Sequence, residues 1–290
     1  MNTYTLTRAK SIDDPDLITI LCPTRSRPEL LDKAVNLIDK HTSRKDQVNM
    51  WLLVDNDDLQ TCALIQSGWS EKFDIKVSYL IDDPTITLGD GLNRLWQAAS
   101  NGGIYLYMGD DHQMMTPNWD VILRDTINSG PKDRYLIAQI CDLHRNSDDL
   151  IIWAVTAEWL NTIGRFVPPY FPFWFIDMWV DHVSVMAGRK VMSGIEMKSA
   201  GGGGHGTQNL WNLGYWYRFF HLLLFERVQE VEKIVHEIGR QTLTSYSQMA
   251  LQAEHHLQHY ENWALSQISE RHLLQIQGES LQGDAQPDER

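Results

Sequence analysis

The chain has 290 residues, 43% of them hydrophobic and 22% charged, a balance that supports a folded core and excludes general disorder. A formal net charge of -13 opposes generic coating of nucleic acid. Three scattered cysteines, Cys22, Cys62 and Cys141, exclude a disulfide scaffold, and no run approaches the roughly 20 apolar residues of a membrane span.

Met1 to Asp16 carry Arg8 and Lys10 but no apolar stretch, so they do not read as a signal peptide, and a cytoplasmic location is expected. Leu17–Cys22 is a short apolar run closed by Pro23, the pattern of a buried strand. The loop Pro23-Thr24-Arg25-Ser26-Arg27-Pro28 follows. Pro28 suits the first turn of a helix in which Leu31, Ala34, Val35 and Ile38 recur at helical spacing. Met50–Val54 is a second apolar run, stopped by Asp55-Asn56-Asp57-Asp58 ahead of a helix over Thr61–Trp69. Ile75–Ile81 predicts a third strand, ended by Asp82-Asp83-Pro84, and Leu88, Leu92, Leu95 and Ala99 predict a third helix. Gly102-Gly103 lead into the strand Ile104–Met108, which runs into Gly109-Asp110-Asp111-His112.

Strands alternating with helices predict an α/β fold with a mostly parallel sheet. In such a sheet ligands gather outside the carboxyl ends of the strands. Those ends hold Thr24, Arg25 and Arg27, then Asp55 to Asp58, then Asp82 and Asp83, then Asp110 and Asp111, an acidic edge with a basic corner. Further on, strands are expected at Tyr135–Cys141 and Ile151–Val155, followed by an aromatic and proline-rich passage from Phe166 to Trp179. Gly201–Gly204 precede His205 in a glycine-rich loop. Trp216 to Gln277 reads as a helical extension of a main domain over 1–215, and 278–290 as a disordered tail. An apolar stripe of Leu222, Phe225 and Val228 on that extension would pack on the main domain or join a second copy.

Two adjacent carboxylates at a strand end suit either a solvated, capping turn or a hard divalent cation that keeps water and a substrate diphosphate as its other ligands. The motifs around them decide between the two. Pro23-Thr24-Arg25-Ser26-Arg27-Pro28 after the first strand, Leu52-Leu53-Val54-Asp55-Asn56-Asp57-Asp58, Gly89-Asp90-Gly91-Leu92-Asn93, and Gly109-Asp110-Asp111 followed by Pro117-Asn118-Trp119 stand in this order. Together they resemble the GT-A-fold, family-two-like nucleotide-sugar glycosyltransferases over about residues 17 to 125. The resemblance implies a Rossmann-like α/β domain, a nucleotide-sugar donor with a UDP-sugar first in line, a hydroxyl acceptor, and Mn²⁺ or Mg²⁺.

By that resemblance Pro23, Thr24, Arg25 and Arg27 lie by the nucleotide, Asp55, Asp57 and Asp82 by its base or ribose, and Asn93 and Arg94 by the diphosphate or sugar. Asp111 would hold the metal, Asp110 the ribose or the same metal, and His205 would be a further ligand. Asp177, after an aromatic run, would take the acceptor proton in an inverting displacement, with Asp181 on the same helical face as its alternate. Trp153, Trp159, Tyr170, Phe171, Phe173, Trp174 and Trp179 read mainly as core, with one or two expected to reach a sugar. His112 reads as a loop histidine. A nucleotidyltransferase would need a glycine-rich basic turn where Pro23 and Thr24 stand; a non-catalytic interaction protein on the same scaffold is the other alternative.

Overall fold

Ile18, Ile20 and Cys22 alternate with Leu21 along the first strand, so one face of the sheet receives three apolar side chains and the other face the fourth. In a computed structural model, residues 10–84, 87–99, 101–144, 150–200 and 213–239 are described. Eight strands form one sheet: β1 (Asp14–Thr24), β2 (Val48–Asp55), β3 (Lys76–Asp82), β4 (Gly102–Tyr107), β5 (His112–Met114), β6 (Ile137–Asp142), β7 (Ile152–Thr156) and β8 (Lys190–Ser199). Their order is β3-β2-β1-β4-β7-β6-β8-β5.

β1 pairs in parallel with β2 and β4, and β2 with β3, so the carboxyl ends of these four strands share one edge. Parallel neighbours need crossover connections, which the helices supply. β7 runs antiparallel to β4 and β6, β8 is parallel to β6, and β5 is antiparallel to β8. The amino-terminal half of the sheet is therefore parallel and the other half mixed.

Helices cover both faces. α1 (Pro28–His41), α2 (Leu59–Gln66) and α4 (Trp119–Asn128) pack on the side of Ile18, Ile20, Ile104 and Leu106. α1 buries Leu31, Ala34, Val35 and Ile38, the four residues its periodicity marks. On the other side lie α3 (Leu88–Ala98), α5 (Ala157–Ile163), α6 (Ile176–Met186), α7 (Leu213–Leu222) and α8 (Leu224–Glu237). Each fully buried aliphatic side chain contributes about 1.5–3 kcal/mol, so these two layers dominate the stability of the sheet.

The helix expected over Thr61–Trp69 begins at Leu59, because the Asp58 carboxylate accepts the Thr61 N–H (3.2 Å) and caps it, and ends at Gln66 before Gly68 turns left-handed. β5, β8, α4 and α5 are additions to the elements the sequence marks. β8 alternates in burial, with Ser193, Ile195 and Met197 inside and Glu196 and Lys198 outside.

Of the expected helical extension, the described part is α7 and α8, separated at Leu223, while 240–277 and the tail 278–290 lie outside the described residues. α8 buries Val231, Ile234 and Val235 in the same cluster as α6. Arg227, fully buried, donates to His182 Nδ1 on α6 (2.7 Å) and to the Phe220 carbonyl (2.6 Å), with its guanidinium over the Phe220 ring. Val228 packs against this core, whereas Leu222 and Phe225 are exposed. Among the described residues, no helix is long and apolar enough to cross a membrane.

Candidate active site at the carboxyl edge of the sheet

The loop after β1 is shaped by one acid. Ser26 adopts a left-handed φ of 56° and donates its N–H to Asp58 Oδ2 (2.6 Å), the same carboxylate that caps α2. Asp58 thereby ties the loop after β1 to the loop after β2 and is itself buried. The loop presents Arg25 outward and Arg27 inward. Arg25 Nη1 lies 2.5 Å from Asp55 Oδ2 and 2.6 Å from Asp57 Oδ1, with Nη2 2.8 Å from Asp57 Oδ2. Pro23 sits within the β1 ladder opposite Leu53.

Arg27 turns to the end of β4. Its Nη2 is 2.5 Å from Asp110 Oδ1 and its Nε donates to Asp110 Oδ2 (3.1 Å), while the Thr24 hydroxyl donates to the same Oδ2 (2.8 Å). Asp110 has no exposed surface, and burial pushes its pKa up to about 6 against the opposing pull of Arg27 and Thr24. Asp111 keeps 22% of its side chain exposed, with Arg27 Nη1 3.7 Å away. The adjacent carboxylates thus point to different environments, one into the protein and one outward.

That split is made by a turn. Gly109 accepts the His112 N–H (3.2 Å) and donates its own N–H to His112 Nδ1 (2.8 Å). A Cβ at Gly109 would stand 2.8 Å from Asp111 Oδ1 and 3.0 Å from His112 Nδ1, so a side chain there would push the Asp111 carboxylate aside. His112 belongs to β5 rather than to a loop and pairs with Ser199; burial lowers its pKa. The Asp111 carbonyl accepts the Ala200 N–H (2.8 Å), so the end of β8 lies beside Asp111. His205 lies outside the described residues.

Asp82 and Asp90 both bind Arg94, each at 2.9 Å. Asn93 engages backbone instead: it donates to the Gly89 and Val167 carbonyls (2.8 and 2.7 Å) and accepts from the Phe166 and Val167 N–H groups (2.7 and 3.3 Å). The Gly89 N–H donates to Phe171 O and the Leu88 N–H to Pro172 O. A Cβ at Gly89 would meet the Pro168 carbonyl at 2.1 Å. The 166–172 segment is therefore clamped on the start of α3, and it leads into α6.

Asp177 lies in the first turn of α6, half-buried, and accepts the Met178 N–H (2.9 Å). Asp181, one turn on, is fully buried and accepts Lys190 Nζ at 2.6 Å. Burial above all, with the charges of Asp177 and Asp111 adding to it, holds the Tyr107 hydroxyl well above its usual pKa. Tyr107, at the end of β4 with its ring 4.4 Å from Trp153, is a residue the sequence reading passed over, since a tyrosine within a strand looks like core. Of the aromatic set, Trp153, Trp159, Phe171 and Trp179 are buried, Tyr170 and Trp174 are half-buried, and Phe173 is exposed.

Among the described residues, no three His, Cys, Asp or Glu side chains form a group that could hold a metal. What the edge offers is Asp111, an outward carboxylate backed by a second, buried one. Hard ions such as Mg²⁺ often take one or two protein carboxylates and fill their remaining positions with water and phosphate, a description this edge fits.

The sequence matches no protein-family model and no curated protein. Solved structures share its fold. TarS 1-349 of S. aureus in complex with UDP-GlcNAc aligns with a TM-score of 0.57 at 12% identity, over 80% of this chain and 74% of its own. The mannosyltransferase PcManGT from Pyrobaculum calidifontis, in complex with GDP-Man and Mn²⁺, aligns at 0.56 and 12% identity, over 89% and 88%. GalNAc-T7 with UDP, GalNAc and Mn²⁺ aligns at 0.53 and 13% identity, over 63% of this chain and 43% of its own. The chain also spans 60% of TarS 1-349 in another of its structures. The fold is GT-A, as the sequence motifs led one to expect.

Proposed function

We propose that the chain is a nucleotide-sugar-dependent glycosyltransferase that moves a sugar from a nucleoside diphosphate to an acceptor hydroxyl, with inversion. The observation that carries this reading is the Asp110–Asp111 pair at the carboxyl edge of a GT-A sheet, Asp110 buried against Arg27 and Thr24 and Asp111 partly exposed beside them. Structures of this fold are described with UDP-GlcNAc, with UDP and with GDP-Man, which favours a nucleotide-sugar donor and puts UDP first.

In this reading Thr24, Arg25, Arg27, Asp55, Asp57 and Asp82 bind the nucleoside, and Arg94 approaches the diphosphate or sugar. Asp110 holds Arg27 in place or meets the ribose. Asp111, with His205 as a further contact, holds Mn²⁺ or Mg²⁺. When bound, that ion neutralises charge on the departing diphosphate. Asp177 accepts the proton of the acceptor hydroxyl as the oxygen attacks. Asp181, buried against Lys190, is less suited to that exchange than Asp177. Pro23 and Thr24, where a nucleotidyltransferase would carry a glycine-rich basic turn, argue against that alternative.

The test is a thermal-shift screen of UDP-, GDP-, CMP- and dTDP-linked sugars with and without Mn²⁺, followed by transfer assays on Asp111→Asn. Stabilisation by one nucleotide class that depends on Mn²⁺, and its loss in Asp111→Asn, is the expected result. Full transfer by Asp111→Asn would sink the assignment.

A further inference from the structure

Gly109 and His112 bond to each other in both directions, backbone to backbone and backbone to ring, and between them stand the two residues on which the donor site depends. We infer that His112 is a positioning residue: its Nδ1 closes the β4–β5 turn and so fixes Asp110 inward and Asp111 outward. The inference rests on the reading of Asp111 as a donor-site carboxylate, and it goes beyond that reading by assigning the geometry of the pair to a residue that itself touches no donor.

Four observations support it. A plain turn would need only the His112 N–H to Gly109 O bond (3.2 Å); the additional bond from the Gly109 N–H to Nδ1 (2.8 Å) ties the same two residues a second time. Because Nδ1 accepts, the neutral ring carries its proton on Nε2. The imidazole is also almost fully buried, on a strand residue that pairs with Ser199 of β8. Finally, Asp111 Oδ1 and His112 Nδ1 both lie within about 3 Å of where a Cβ of Gly109 would stand, so the Asp111 carboxylate and the ring share the space over this one residue. Loosening the ring frees the turn, and the outward carboxylate moves with it.

A pair of near-isosteres separates this role from packing. The amide oxygen of Asn reproduces the position of Nδ1, one bond nearer the backbone than Nε2, whereas the amide of Gln reproduces Nε2. His112→Asn and His112→Gln are compared with wild type in two measurements: hydrogen exchange of the 105–114 segment without ligand, and binding of Mn²⁺·UDP by calorimetry. Wild-type-like protection and affinity are expected in His112→Asn. In His112→Gln, the Gly109 amide should lose protection and Mn²⁺·UDP affinity should fall about tenfold or more, the range seen when a residue supporting a metal ligand is removed. Equal behaviour of the two variants in exchange, or protection in His112→Gln at the wild-type level, would overturn the inference. If wild type binds no Mn²⁺·UDP, the donor-site reading fails, and the exchange comparison still decides whether His112 holds the turn.

Discussion

Arg27 places a guanidinium nitrogen 2.5 Å from Asp110, a carboxylate with no exposed surface, and so brings its own counter-charge from the loop after β1 to the end of β4. The contact spans 83 residues of sequence and welds the first and last strand ends of the parallel half into one edge. Breaking a pair of this kind leaves a buried charge alone, which costs about 3–5 kcal/mol for full burial and less here, since Arg27 is partly exposed. Arg27→Met is expected to unfold at clearly lower denaturant with an unchanged m-value, and to lose nucleotide binding. Chemical denaturation together with a nucleotide titration checks both; wild-type stability would show that Thr24 alone satisfies Asp110.

Asn93 tests how far the site depends on backbone held at a distance. Its amide makes four hydrogen bonds, three of them to Phe166 and Val167, in the segment that leads to α6. Removing them should cost about 1–3 kcal/mol and loosen the approach to Asp177. Asn93→Ala is therefore expected to lower the melting temperature and to lower kcat more than donor affinity. A loss confined to donor affinity would instead place Asn93 at the donor.

Asp177 is the group proposed to take the acceptor proton. Asp177→Asn keeps the size of the side chain and removes the base, so transfer to acceptor should fall by about 10² to 10⁴-fold while slow donor hydrolysis by water persists. Product analysis of the two reactions reads this directly. Unchanged transfer would reject the role.

Lys10 gives a pH signature away from the site. Its ammonium donates to the Trp96 and Ala99 carbonyls at the end of α3, each at 2.7 Å, and burial lowers its pKa to about 8, with Asp13 opposing. Because the folded-state pKa is depressed, the unfolded chain binds more protons between about pH 8 and the ordinary lysine value near 10.5, so this residue makes stability rise with pH across that window. The rise should be absent in Lys10→Met, as denaturation curves at pH 8, 9 and 10 would show. A fall in the wild type relative to Lys10→Met would mean that the helix-terminal carbonyls hold the charge more strongly than burial opposes it.

The sequence by itself determined the strand-helix alternation of residues 17 to 108, the faces on which Leu31, Ala34, Val35 and Ile38 pack, and the gathering of acids at strand ends. These follow from local periodicity and from turn residues, which short windows of sequence contain. Only the tertiary structure decided that Asp110 turns inward and Asp111 outward, since that depends on Arg27 arriving from another strand and on His112 closing the turn. It also placed Asn93 on the backbone of 166–167 and Asp181 against Lys190. Each of these is a contact between residues distant in sequence, made by side chains whose identities fit several roles, and burial at close range selects among them.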